Sequence, residues 1–133
     1  MRKLFLIAVS TALAGCQTWG PTWSEVTGVR FFRTEQNRMP TIIERVDGRS
    51  SSPAGIGEPN RIEPGRRVLT LSTAPPALAS AGGWRIHEFV LDAEPCMRYF
   101  VNAQFDSRLG SDWEPVIDFA ERIAGCDPAP KAK

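Results

Sequence analysis

Apolar and polar positions alternate with a period of two along several short stretches of the chain, which predicts strands rather than helices. In residues 67–72 (RVLTLS), Val68, Thr70 and Ser72 share one face and Arg67, Leu69 and Leu71 the other. Residues 84–91 (WRIHEFVL) set Trp84, Ile86, Glu88 and Val90 against Arg85, His87, Phe89 and Leu91. Residues 96–105 (CMRYFVNAQF) put Met97, Tyr99, Val101 and Ala103 on one side. Residues 25–33 (EVTGVRFFR) and 41–46 (TIIERV) are rich in β-branched and aromatic side chains and predict two more strands. Asp47-Gly48 and Glu63-Pro64-Gly65 are turn sequences, while 49–60 and 73–83 carry the prolines, serines and glycines of loops. The segment 113–124 fits two periods. Val116, Phe119, Ala120 and Ile123 make a helical stripe, whereas Ile117, Phe119, Glu121 and Ile123 make a strand face. Pro115 and the β-branched residues favour the strand; a helix here would give an α+β domain with one C-terminal helix. Short strands with turn chemistry between them predict an all-β domain, a small antiparallel β-sandwich.

The N-terminal segment has a different pattern. Arg2 and Lys3 precede an apolar run, 4–13 (LFLIAVSTAL), too short to span a bilayer, which takes roughly 20 residues. Small residues then lead to a cysteine, which is signal-peptide anatomy. Leu13-Ala14-Gly15-Cys16 resembles the lipobox of bacterial lipoproteins. An ordinary secretory signal that contains a cysteine is the alternative. The resemblance implies a diacylglyceryl group on the Cys16 thiol, cleavage before Cys16 and acylation of the new amine. With Gln17 after the cysteine, likeness to Gram-negative lipoproteins implies an outer-membrane address facing the periplasm. The expected organisation is a signal peptide over 1–15, an acylated tether over 16–24, the β-sandwich over 25–127 and a disordered tail over 128–133. Trp19 and Trp23 in the tether are expected to pack back on the domain, with dipping into the lipid interface as the alternative.

Export changes the reading of charge and cysteine. Arg2 and Lys3 are two of the 16 basic residues, so 14 remain in the processed chain against 15 acids. That interspersed balance argues against a nucleic-acid partner and against a basic patch for lipid. Membrane attachment is therefore expected through the lipid on Cys16. Cys96 and Cys126 form an even pair in an exported domain and predict one disulfide, with two buried thiols as the alternative. A metal site is not expected, since His87 is the one histidine and no Cys-x-x-Cys spacing occurs.

The middle of the chain, about 41–72, resembles PEGA-type envelope domains. A strand ends in Val46-Asp47-Gly48, a loop follows, and Glu63-Pro64-Gly65 leads into 67–72. The resemblance implies that the strand after the Pro-Gly turn pairs beside the Asp-Gly hairpin. The Pro-x-Gly opening of that family is missing, and the block from Cys96 to Cys126 has no counterpart in it. The whole layout looks most like uncharacterised proteobacterial envelope lipoproteins.

Groups for catalysis are few. His87 would have to serve any Ser-His-Asp or Cys-His mechanism, yet Arg85 and Phe89 beside it read as sheet surface. Asp106, Asp112 and Glu114 are scattered turn acids, and no Gly-rich loop opens a helix to cradle phosphate. Arg98, Phe100, Arg108 and Trp113 form an Arg- and aromatic-rich stretch that could face an envelope protein or peptidoglycan; the rival reading is core packing. The expectation is a lipid-anchored, non-enzymatic structural or interaction module with no cofactor. The alternatives are a periplasmic inhibitor or assembly accessory, and a small envelope hydrolase using His87.

Overall fold

Nine strands joined by turns, with no helix among the described residues, make up the structure. The computed structural model describes residues 22–31, 34–51, 58–73, 85–107 and 112–128. The expected signal peptide, Cys16 and most of the tether, the loop segments 52–57 and 74–84, Arg108 and the tail from 129 lie outside the described residues. The strands are β1 (Ser24–Thr27), β2 (Arg38–Pro40), β3 (Ile42–Val46), β4 (Arg49–Ser50), β5 (Asn60–Ile62), β6 (Gly65–Thr73), β7 (Arg85–Ala93), β8 (Met97–Phe105) and β9 (Trp113–Arg122).

Two sheets face each other. The four-stranded sheet has the order β4-β3-β6-β7 and is antiparallel throughout. The five-stranded sheet is built on β8. Strand β9 pairs along one side of it, and β1 and β2 share the other side, end to end, with β5 beyond β1. One pair departs from the antiparallel expectation: β1 runs parallel to β8. Most of the domain separates these two strands in sequence, so no hairpin dictates their direction.

The alternation predicted for β6 and β8 puts aliphatic side chains inside. Leu69, Leu71 and Leu91 from one sheet and Val26, Val101 and Phe105 from the other belong to one buried cluster. Burying each such side chain contributes about 1.5–3 kcal/mol. The last element is a strand, and a bulge explains its double periodicity. Phe100 pairs with Phe119 but Val101 with Ile117, so Asp118 is an extra residue. By register the inward positions fall at Trp113, Pro115 and Ile117 (itself 47% exposed) and then at Ala120, a step of three that imitates a helix. Pro115 and the bulge also make β9 a poor template for further pairing.

The first strand stops at Thr27, six residues before its predicted end. The Gly28 carbonyl accepts from Thr41 N–H at 2.9 Å, and a Cβ on Gly28 would lie 1.8 Å from the Thr41 carbonyl oxygen. Only glycine fits so close to that backbone. The chain then leaves the edge of β8 and crosses the outer face of the sheet. Three short strands, β2, β4 and β5, carry too few residues to show a period and were not predicted. Elsewhere turn chemistry is met. Asp47 and Gly48 have φ of 51° and 78°, the left-handed pair of a tight two-residue hairpin. Strand β6 pairs with β3 beside that hairpin.

Cys96 and Cys126 are joined, with Cα atoms 5.4 Å apart. The bond ties the turn between β7 and β8 to the chain beyond β9. Cys96 N–H donates to the Trp23 carbonyl, and Cys96 accepts from Ile123 N–H. Trp23 also packs against the disulfide cluster and under Arg61, whose guanidinium carbon is 4.5 Å from the ring. Trp23 and Ser24 thus belong to the domain rather than to the tether; Trp19 lies outside the described residues.

Candidate functional site

Strand register divides the Arg- and aromatic-rich stretch between inside and outside. Arg98 and Phe100 point away from the core on β8, whereas Trp113 sits opposite Phe105 at the start of β9 and is 3% exposed. Trp113 is a core residue and cannot contribute to a partner surface, because its ring is enclosed between the sheets. Arg108 lies outside the described residues.

The same correction applies to the His87 face. His87, Phe89 and Leu91 alternate toward the core, and it is Ile86, Glu88 and Val90 that form the sheet surface. The imidazole meets Trp113 edge-on, with centroids 4.3 Å apart, and bridges β7 to β9. Among the described residues no hydrogen bond joins His87 to a Ser, Asp or Glu. Asp106, Asp112 and Glu114 are exposed, and no group of three or more His, Cys, Asp or Glu that could hold a metal ion occurs among the described residues.

The outer face of the five-stranded sheet is organised in rows set by register. In the first, Glu25, Arg98 and Glu121 lie side by side on β1, β8 and β9. Arg98 Nε donates to Glu25 Oε2 at 2.6 Å and its Nη1 to Glu121 Oε1 at 2.9 Å. Burial would lower the Arg98 pKa, but the bonds to Glu25 and Glu121 outweigh it and hold it above its ordinary value. Trp23 Nε1 donates to the other Glu25 oxygen, so the row continues to Arg61. Phe100 and Phe119 fill the next row, and Phe31 stacks on Phe119 with centroids 3.9 Å apart. Asn102, fully buried, donates to the carbonyls of Gly28 and Val29. Asp118, whose side chain is 0% exposed, pairs with Arg38 and accepts from Phe31 N–H. Together these contacts fasten the segment after β1 across the sheet.

The outer face of the four-stranded sheet is built differently. Its rows are Ile42–Ser72–Ile86, Arg45–Thr70–Glu88, Val68–Val90 and Arg66–Asp92. Ile86 is 64% exposed, Ile42 47% and Val90 42%. Arg45 and Glu88 are exposed and neither has an ion-pair partner among the described residues. Glu44, the extra residue of a bulge in β3, accepts from Ser72 Oγ. At the rim of this sheet Asp47 accepts from Val68 N–H and from Arg67, and the backbone bond first, then Arg67, hold its carboxyl below the ordinary range.

Neither exposed face was readable from residue type alone. Asp118, Glu25 and Asn102 belong to rows that only strand pairing assembles. For β7 the alternation was visible but did not decide which side faces in, since each face holds both apolar and charged or titratable residues. Comparison with protein-family models, with curated proteins and with solved structures finds no match to this chain.

Proposed function

We propose that this chain is a lipid-anchored module of the bacterial cell envelope, held in the outer membrane by acylated Cys16 and acting on partners in the periplasm by binding rather than by catalysis. The observation that supports the reading is the direction in which the chain enters the domain. Trp23 is bonded to the disulfide turn, so the segment from Cys16 arrives at the end that carries Cys96 and Cys126. The seven steps from Cys16 to Trp23 reach at most about 25 Å. An anchor at Cys16 would keep the disulfide end close to the bilayer. The opposite end, where Thr73 and Arg85 pair and where His87 meets Trp113, would then face the periplasm.

Two measurements test this. Cys16→Ser should leave unprocessed precursor and abolish labelling by a fatty-acid analogue; processing and labelling that survive the substitution overturn the anchor. His87→Gln keeps polarity and approximate size but removes the imidazole that a general-base mechanism would use. Rescue of a null strain's envelope phenotype by this variant is the expected result. Failure of a folded, exported His87→Gln protein to rescue would favour the hydrolase reading.

A further inference from the structure

We propose that the outer face of the four-stranded sheet is where two copies of this chain meet, stacked face to face about a two-fold axis running along the strands. Such an axis leaves each residue at its own height and exchanges left for right, so β6 lies over β6 of the other copy and β3 lies over β7. The rows of this face are self-complementary under that exchange. Ile42 falls over Ile86 of the second copy and Ile86 over its Ile42, closing the most exposed aliphatic side chains on each other. One row further, Arg45 falls over Glu88 and Glu88 over Arg45, at the same height because both pair with Thr70. Both are exposed, and neither has an ion-pair partner among the described residues of the single chain. Val68 meets Val68 near the axis, and the Arg66–Asp92 row brings two bases and two acids together. Glu44, the other charge on β3, is already held by Ser72. Isologous contact of this kind uses one patch twice, and sheets stacked in this aligned way pack their side chains between them.

A second copy could instead add to the free side of β7. Antiparallel pairing there sets Glu88 against itself, against Ile86 or Val90, or against Asp92, none of which is complementary. It also reverses the second copy, so the two disulfide ends would point in opposite directions. The face-to-face axis keeps both disulfide ends together, which is what two anchors in one membrane require; this preference rests on the anchor reading above. Confinement to one membrane raises effective concentration, so a patch of modest area suffices.

The test is sedimentation of the full-length protein in non-ionic detergent, over a dilution series, with mass spectrometry of its N-terminus. The expected result is a dimer. Arg45→Glu and Glu88→Arg should each raise its dissociation constant roughly a hundredfold, about tenfold for each of two symmetry-related contacts. The Arg45→Glu, Glu88→Arg double variant should return toward the parent value, with unchanged melting of the fold in all three. A monomer throughout the series, or a dimer indifferent to these reversals, overturns the proposal. An unacylated chain that still dimerises through Arg45 and Glu88 supports the surface and removes the anchor; an acylated monomer does the reverse.

Discussion

The two outer faces of this sandwich start from the same alternation of side chains and end in opposite conditions. On the five-stranded sheet the outward positions are closed internally: charges sit in a row of three, aromatics stack on Phe31, and Asp118 and Asn102 fasten the segment that follows β1. On the four-stranded sheet Ile42, Ile86 and Val90 stay exposed, and Arg45 and Glu88 have no ion-pair partner among the described residues. Period two decides which residues leave the core. Whether they are then used within the chain depends on where the chain crosses, and Gly28 sets that crossing.

The comparison breaks most severely at Asp118. Asp118→Ala removes the carboxylate that Arg38 Nη1 and Phe31 N–H donate to, and loss of one partner of a buried pair costs about 3–5 kcal/mol. Urea denaturation should show that loss, together with weakened Phe31 stacking. Removing the disulfide through Cys96→Ala and Cys126→Ala should cost about 3–4 kcal/mol, the chain-entropy value for a separation of 30 residues. The penalty should be similar on reduction of the native protein, read as a lower melting temperature. Gly28→Ala forces the strand end away from Thr41 and should cost about 1–3 kcal/mol, with the crossing segment gaining faster amide exchange. Ile86→Ser, on the open face, should change the folding free energy by no more than about 0.5 kcal/mol while weakening self-association.

The smallest effect concerns pH. The Asp47 carboxyl is held below its ordinary value in the folded chain, so the stability it contributes is present above the unfolded carboxylate pKa of about 3.9 and is lost as pH falls through the lower folded value. Asp47→Asn should therefore lie slightly below the parent in melting temperature at neutral pH. The gap should close as pH falls below about 4, and a gap that widens instead would contradict the assignment.

The long strands were legible because they lie between a core and a surface. In β6 and β8 the inward residues are Leu69, Leu71, Tyr99 and Val101, and the outward ones are mostly polar, as with Thr70, Ser72, Arg98 and Asn102. The disulfide followed from an even pair of cysteines once Cys16 was set aside. Strand β7 was read with the wrong side outward, because His87 and Phe89 on one side weigh about as much as Ile86 and Val90 on the other. For Trp113 the sequence left a partner surface and core packing both open, and register with Phe105 decides for the core. The parallel pairing of β1 and the crossing after Gly28 depend on contacts 60 to 87 residues apart in the chain, such as Thr41 with Val101 and Phe31 with Asp118. Local pattern carries no trace of them.

The placement of β1 has a mechanical consequence. This strand is the point where any pull on the N-terminal segment enters the domain, and it lies between β5 and β8 with its bonds directed across its own length. Tension along the strand therefore loads all of these bonds at once, in shear, instead of opening them one after another from an end. The Trp23 carbonyl, gripped by Cys96 N–H, adds a stop at the point of entry. Resistance to extraction is governed by the unfolding rate rather than by equilibrium stability. A short strand of four residues can thus transmit force while the rest of the sandwich keeps its shape.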